Sequence, residues 1–219
     1  MELKGFYNID CMEGMKEIPD KYFDLAIVDP PYGINMDNPR KRTKPSRPNS
    51  YELYKEYRYK EAEWDGEIPK KQYFNELFRV SKKQLIFGAN YMAEHLPSGY
   101  GWVFWHKKNG ENNNFSDGEF IFSSKGIQSR MVSISQFDGL RGGKDRIHPT
   151  QKPVALYHWL LNNYAKEGDK ILDTHVGSAS SLIACHDMGF EYLGFELDED
   201  YYRMASERLE GHKAQLSLF

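Results

Sequence analysis

Lys170-Ile-Leu-Asp173, the small-residue turn Gly177-Ser-Ala-Ser-Ser181, an apolar run to Met188 stopped by Gly189, and Tyr192-Leu-Gly-Phe195 closing at Glu196 decide the fold. Two short apolar runs flank a segment long enough for one helix, and strands joined through a helix pair in parallel. The unit is therefore βαβ with a right-handed crossover, and the sheet is expected to be mostly parallel. A small-residue turn lets backbone approach a ligand closely, and an acid ending the next strand, Glu196, can accept both hydroxyls of a ribose. The turn is not G-x-G-x-x-G, and no Lys-Ser/Thr phosphate loop is present. A nucleoside without a pyrophosphate fits better than NAD or ATP. Taken alone, the motif reads more readily as an ordinary α/β turn beside a solvated acid.

The N-terminal segment supplies a second half-site. Lys4-Gly-Phe-Tyr-Asn-Ile9 reads as a strand ending at Asp10, and Met12 to Ile18 as a short helix stopped by Pro19. Leu25-Ala-Ile-Val28 is an apolar run bounded by Asp24 and by Asp29-Pro30-Pro31-Tyr32, the pattern of a buried strand. An acid, two prolines and an aromatic at a strand's end make a small rigid platform. The prolines fix φ and remove donors, which leaves carbonyls free to face a ligand. The carboxylate accepts hydrogen bonds and the tyrosine ring can stack, a set suited to a planar exocyclic amine. The plain alternative is a proline turn with a surface acid, but Asp29 would then end a buried strand poorly. If the Asp29 and Asp173 strands are central neighbours, cofactor and acceptor meet where the strand order reverses.

From Gly33 to Asp65 the chain is polar and Pro-interrupted, with Arg40, Lys41, Arg42, Lys44 and Arg47 close together and no apolar period. That texture predicts a mobile loop. Tyr73, Phe74, Leu77 and Phe78 follow helical spacing after Pro69. Leu85 to Phe87 reads as a strand, Tyr91 to Leu96 as a helix, and Gly101 to Trp105, Glu119 to Phe122 and Arg130 to Ser135 as strands. Lys107 to Ser116 is a polar loop and Gly139 to Lys144 a flexible connection. Leu156, Trp159, Leu160 and Tyr164 form one apolar helix face, and Asp198 can cap a last helix carrying Tyr202, Ala205 and Leu209.

At 219 residues the chain is expected to form one domain over residues 1–210, followed by a tail, 211–219. No run is long and apolar enough for a membrane span, and the first residues lack a signal-peptide pattern. Cys11 and Cys185 fit neither a metal spacing nor a disulfide framework, which points to a reducing cytoplasm and to no bound metal. A net charge of −3 argues against a uniformly basic nucleic-acid binder and leaves room for a local basic patch.

These residues resemble the S-adenosylmethionine-dependent DNA amino-methyltransferases, in the group whose catalytic motif precedes the cofactor loop. The family's D-P-P-Y matches Asp29 to Tyr32, and its D-P-F-x-G-S-G-T loop is similar to Asp173-Thr-His-Val-Gly-Ser-Ala-Ser180. His148-Pro-Thr-Gln-Lys-Pro153 matches the motif before the first cofactor strand. The resemblance implies an α/β Rossmann-like methyltransferase fold: a mostly parallel, seven-stranded sheet with helices on both faces. It implies catalysis by Asp29, Pro30, Pro31 and Tyr32, and an S-adenosylmethionine site drawn from Asp10, Asp29, Pro30, His148, Thr150, Lys152, Asp173, Gly177, Ser178 and Glu196. Asp10 would meet the cofactor's adenine and Glu196 its ribose. Thr174-His175 and Ala179 depart from the pattern; if the position of Ala179 needs φ > 0, alanine there is strained.

The implied reaction is methylation of adenine N6 in double-stranded DNA, with the base flipped out and stacked on Tyr32. Cytosine N4 stays open, since the same platform holds either amine, although S-P-P-Y is more usual there. A catalytically weak, tethered DNA-binding relative is the reading from another class. Arg40, Lys41, Arg42, Lys44 and Arg47 would hold phosphates, and sequence recognition would lie in residues 33–65 and 107–146. The ending Gln215-Leu216-Ser217-Leu218-Phe219 resembles the pentapeptide that binds the bacterial replication sliding clamp, with Gln215 fixing register and Leu216, Leu218 and Phe219 as apolar anchors. A bacterial or phage-infected cytoplasm is implied, and a homodimer is compatible with the sequence.

Overall fold

The computed structural model describes residues 1–34, 65–109, 116–139 and 146–216, Leu216 by its backbone alone. In chain order the elements are β1 (Gly5–Asn8), α1 (Cys11–Lys16), β2 (Leu25–Val28), α2 (Lys71–Val80), β3 (Gln84–Phe87), β4 (Gly101–His106), β5 (Gly118–Ser123) and β6 (Arg130–Ser133). There follow α3 (Val154–Tyr164), β7 (Lys170–Asp173), α4 (Ser180–Asp187), β8 (Glu191–Glu196) and α5 (Glu199–Leu216).

One sheet runs β1-β8-β7-β2-β3-β5-β4-β6. Its core is parallel, β2 lying between β7 and β3, and β5 is antiparallel to both neighbours. The apolar runs explain the layering. Leu25 and Ile27 point to one face, where Leu156, Leu160 and Leu161 of α3 and Ala184 and Cys185 of α4 pack. Ala26 and Val28 point to the other, against Phe74, Leu77 and Val80 of α2 and Met15 of α1. A strand apolar at every position is thus one covered by helices on both sides.

Three expectations are corrected. The sheet has eight strands among the described residues, not seven, because β6 adds in parallel to the outer edge of β4, with Val103 opposite Arg130. Tyr91 to Leu96 is not one helix but lies across two 3₁₀ turns, Ala89–Tyr91 and Ala93–His95, entered through Gly88 at φ 61°. Gly211 does not end the last helix: α5 crosses the expected boundary at residue 210 and continues to Leu216. An interior glycine costs a helix about 1 kcal/mol against alanine. Asp198, accepting from the N–H groups of Asp200 and Tyr201, and the Lys213–Glu210 pair support this helix on either side of it. No helix among the described residues is long and apolar enough to cross a membrane.

Candidate active site

Strands β2 and β7 are hydrogen-bonded neighbours, with Leu25 opposite Ile171 and Ala26 opposite Leu172. From β2 the chain leads to β3 on one side, and from β7 to β8 on the other. Their carboxyl ends therefore bound the crevice of a topological switch point. A cavity of about 1020 Å³ opens there, at the top of the range of roughly 300–1,000 Å³ usual for small-molecule sites. Asp29 and Pro31 line it from β2, Thr174 to Ser178 from β7, Asp10 from β1, Glu196 from β8, and His148, Thr150 and Lys152 from the segment before α3. Pro30, Tyr32 and Asp173 are not in the lining.

Asp29 sits in a buried polar cluster. Its Oδ1 accepts from the Tyr32 hydroxyl at 2.6 Å, and its Oδ2 takes the Lys152 ammonium in direct contact. Lys152 also lies 3.5 Å from Glu119 Oε2, and Lys107 holds Glu119 Oε1 at 2.5 Å. Burial raises the Asp29 carboxyl, and Glu119 adds to this, while Lys152 and Tyr32 pull it back down. Burial also acts on Glu119, but Lys152 and Lys107 outweigh it and hold that carboxyl low. Lys152 stays protonated because Asp29 and Glu119 overcome the cost of burying it. The platform loop is tied from below, where Asp65 Oδ1 accepts from the N–H groups of Tyr32 and Gly33 at 2.7 and 3.0 Å.

Tyr32 differs from its expected state as an open stacking surface. Its ring is stacked on Tyr91, with centroids 5.3 Å apart and planes 17° apart. Gly88 presses against it closely enough that a Cβ there would lie 2.2 Å from the ring. Lys152, expected among the cofactor ligands, lines the cavity and is the counter-ion of Asp29.

The other half of the cavity matches the nucleoside reading. Glu196 accepts the Gly177 N–H at 2.9 Å and the Asp198 N–H at 3.0 Å. A carboxylate has about four lone-pair sites, so two remain for a diol. Asp173 works beneath the surface: it accepts from the His175 N–H at 3.0 Å and the Ser181 hydroxyl at 2.5 Å, and burial pushes its carboxyl up to about 7. Gly177, at φ 56°, turns the loop under the His148 ring, which packs on Tyr201 at 4.4 Å and is pushed down to about 3 by burial. Asp10 lines the cavity while capping α1 through the Met12 N–H at 2.7 Å. Backbone and carboxylate acceptors around a small-residue turn thus fit an uncharged nucleoside end.

The departures in the loop are built in. Thr174 Oγ1 lies 2.7 Å from the Tyr73 hydroxyl and 2.9 Å from His175 Nδ1, and His175 Nε2 lies 4.0 Å from Cys11 Sγ. Ala179 does take the left-handed conformation, φ 61° and ψ 18°. Sequence reasoning missed Glu119, Lys107, Asp65 and Tyr91; only the strand order brings the first two to Asp29. Arg40, Lys41, Arg42, Lys44 and Arg47 lie outside the described residues, as do Leu218 and Phe219. Gln215 and Leu216 belong to α5 rather than to a free tail.

Comparison with known proteins agrees with this geometry. The type II methyltransferase M.HpaI of Haemophilus parainfluenzae is 24% identical over 92% of this chain and 72% of its own length. The M1.HpyAVI–SAM complex superposes with a TM-score of 0.59 at 18% identity, covering 93% of this chain and 98% of that one. The cytosine-N4-specific PvuII DNA methyltransferase reaches a TM-score of 0.62 at 11% identity, over 95% and 90% of the two chains. Both structures share the fold. A DNA methylase model of the N6/N4 type matches residues 87–207, which hold Lys152, the loop after Asp173 and Glu196. With a switch-point cavity between an amine platform and a nucleoside loop, and more than half of its length matched by that model, the chain belongs to the N6/N4 DNA methylase family.

Proposed function

We propose that this methylase transfers a methyl group from S-adenosylmethionine to adenine N6 of a base flipped out of double-stranded DNA. The observation that carries the reading is one cavity lined both by Asp29 and by the Gly177–Glu196 pair. S-adenosylmethionine would supply an electrophilic methyl on a sulfonium. Glu196 would hold its ribose, Asp10 its adenine amine, and the Gly177-Ser178 backbone would lie along it. Asp173 would act from below, as the acceptor that fixes this loop.

An exocyclic amine is a weak nucleophile because its lone pair is delocalised into the ring. Asp29 and the Pro30 carbonyl would accept its two hydrogens and draw the nitrogen toward sp³, so that the lone pair faces the methyl. Most of the acceleration is then positioning and charge complementarity. Asp29 need not take a proton before attack; it can accept one from the methylated amine afterwards. Adenine is favoured over cytosine by Asp at the head of the platform. The residue 215–219 motif further suggests recruitment by a replication clamp, through an end of α5 that would have to unwind.

Incubation with mixed-sequence DNA and S-adenosylmethionine, followed by sequencing of the modified bases, tests the reading. N6-methyladenine at one recurring sequence is expected. N4-methylcytosine would overturn the base assignment, and cofactor binding without transfer would favour the tethered, inactive relative. Asp29→Ala should abolish transfer and largely keep cofactor binding; unimpaired turnover by that variant sinks the mechanism.

A further inference from the structure

Glu119 has no part in the reaction so far, yet it is among the closest neighbours of the catalytic acid. It stands on β5, opposite Trp105 of β4, with its side chain 18% exposed. Both donors that hold Asp29 reach it as well. The Tyr32 hydroxyl is 2.6 Å from Asp29 and 3.3 Å from Glu119. The Lys152 ammonium touches Asp29 and lies 3.5 Å from Glu119.

This arrangement poses a problem for an incoming amine. Asp29 Oδ2 already carries an ammonium, which neutralises the charge that should polarise a substrate N–H. Lys152 is 4% exposed, so its ammonium cannot simply withdraw into water, and an unpaired buried charge is strongly unfavourable. The Tyr32 hydroxyl has one proton and serves one acceptor at a time.

Resting on the methyl-transfer reading above, we propose that Glu119 is the receiving carboxylate of an exchange. As the target amine docks on Asp29, Lys152 and the Tyr32 hydroxyl pass their hydrogen bonds from Asp29 to Glu119. The two carboxylates and the two lysines, Lys152 and Lys107, sum to zero charge before and after, so Lys152 keeps a counter-ion while Asp29 turns its charge to the N–H of the incoming amine. Glu119 is thus a positioning residue: it acts through Lys152 and Tyr32 and does not touch the base. Lys107, bonded to Glu119 Oε1, keeps that carboxylate charged and in place.

Glu119→Gln keeps the shape and removes the charge, leaving the ammonium on Asp29. We expect kcat for methyl transfer to fall about 10–100-fold, the scale of a lost charge-assisted hydrogen bond, with the S-adenosylmethionine dissociation constant within twofold of wild type. A binding comparison separates positioning from general damage. Oligonucleotides with the target adenine, at the site found by sequencing, are compared with the same oligonucleotides carrying unsubstituted purine there. Glu119→Gln should weaken binding of adenine DNA relative to wild type and leave purine DNA unchanged, since purine brings no amine to Asp29. If Glu119→Gln does not fold, the charge-balanced double variant Lys107→Met/Glu119→Gln takes its place with the same expectations. Wild-type kcat in the folded variant, or equal weakening on both DNAs, overturns the exchange. A wild-type protein that methylates no DNA overturns the proposed function and the exchange with it, whereas an active wild type beside an unimpaired variant overturns the exchange alone.

Discussion

Gly88→Ala tests whether the platform depends on the ring behind it. Gly88 has φ 61°, and a Cβ built there lies 2.2, 2.4 and 2.5 Å from Cε1, Cζ and Cδ1 of Tyr32. Ordinary contact begins near 3.4 Å, so ring or backbone must give by about 1.2 Å. The Tyr32 backbone is held by Asp65 and its hydroxyl by Asp29 at 2.6 Å. Moving the ring that far stretches the hydroxyl bond beyond hydrogen-bonding range. Two costs add: roughly 1–2 kcal/mol for alanine in the left-handed region, and about 1–3 kcal/mol for overpacking. A total of about 2–5 kcal/mol lowers the Tm of a chain this size by roughly 4–20 °C. Misplacing a catalytic group by about 1 Å costs on the order of 10²-fold in rate. Gly99→Ala is the control, because Gly99 has φ 84° and, among the described residues, nothing within 4 Å of its added Cβ. It should show the backbone cost alone, roughly 1–2 kcal/mol, and near wild-type turnover. Calorimetry and single-turnover methyl transfer measure both variants. If Gly88→Ala matches Gly99→Ala in Tm and rate, Tyr32 does not hold Asp29 and the reasoning fails.

Three further predictions concern pH and the C-terminus. Burial pushes His175 down to about 4 from 6.5, so its contribution to stability is present above pH 6.5 and lost as pH falls through about 4. The stability of wild type relative to His175→Asn should therefore decline on acidification from pH 6 to 4.5, by about 1.4 kcal/mol per pH unit at most; a pH-independent difference in urea unfolding would contradict the buried neutral ring. Asp173 runs the opposite way, with folded value about 7 against 3.8: relative to Asp173→Asn, wild type should lose stability between pH 4 and 7. Deleting residues 215–219 should remove binding to a purified bacterial sliding clamp and leave oligonucleotide methylation intact, and an intact chain with no measurable clamp affinity ends that idea.

The poles of the site were legible because each is a local pattern. Leu25 to Val28 is apolar without alternation, which marks a doubly covered strand, and the polar residues at its end fall on the sheet's carboxyl rim. The same holds for Lys170 to Asp173 and for Glu196. What joins the poles is not local. Lys152 meets Asp29 across 123 positions and Tyr32 meets Glu119 across 87, through a strand order that periodicity does not report. Asp65 was hidden for another reason, since its Oδ1 meets the backbone N–H groups of Tyr32 and Gly33, which every residue but proline carries and no sequence pattern marks. Gly211 misled because a glycine's helix-breaking tendency is small beside the capping and packing of the helix around it.

The altered cofactor loop is better judged by energy than by its distance from a pattern. Ala179 stands in the left-handed region where glycine is at ease, a strain of roughly 1–2 kcal/mol. Part of it is offset, because alanine gives up less conformational freedom on folding than glycine, by roughly 0.5–1 kcal/mol. The residue is fully buried at the start of α4, packed with Leu182 and Leu209, so the fold holds it there. Thr174 and His175 line the cavity with their polar groups partnered, Thr174 to the Tyr73 hydroxyl and His175 to Thr174. A loop built to tolerate its substitutions, opposite a platform whose acid Lys152 and Tyr32 hold in place until an amine arrives, fits the proposed methyl transfer. A chain that had given up transfer would have no need to keep an ammonium on Asp29 and a second carboxylate beside it.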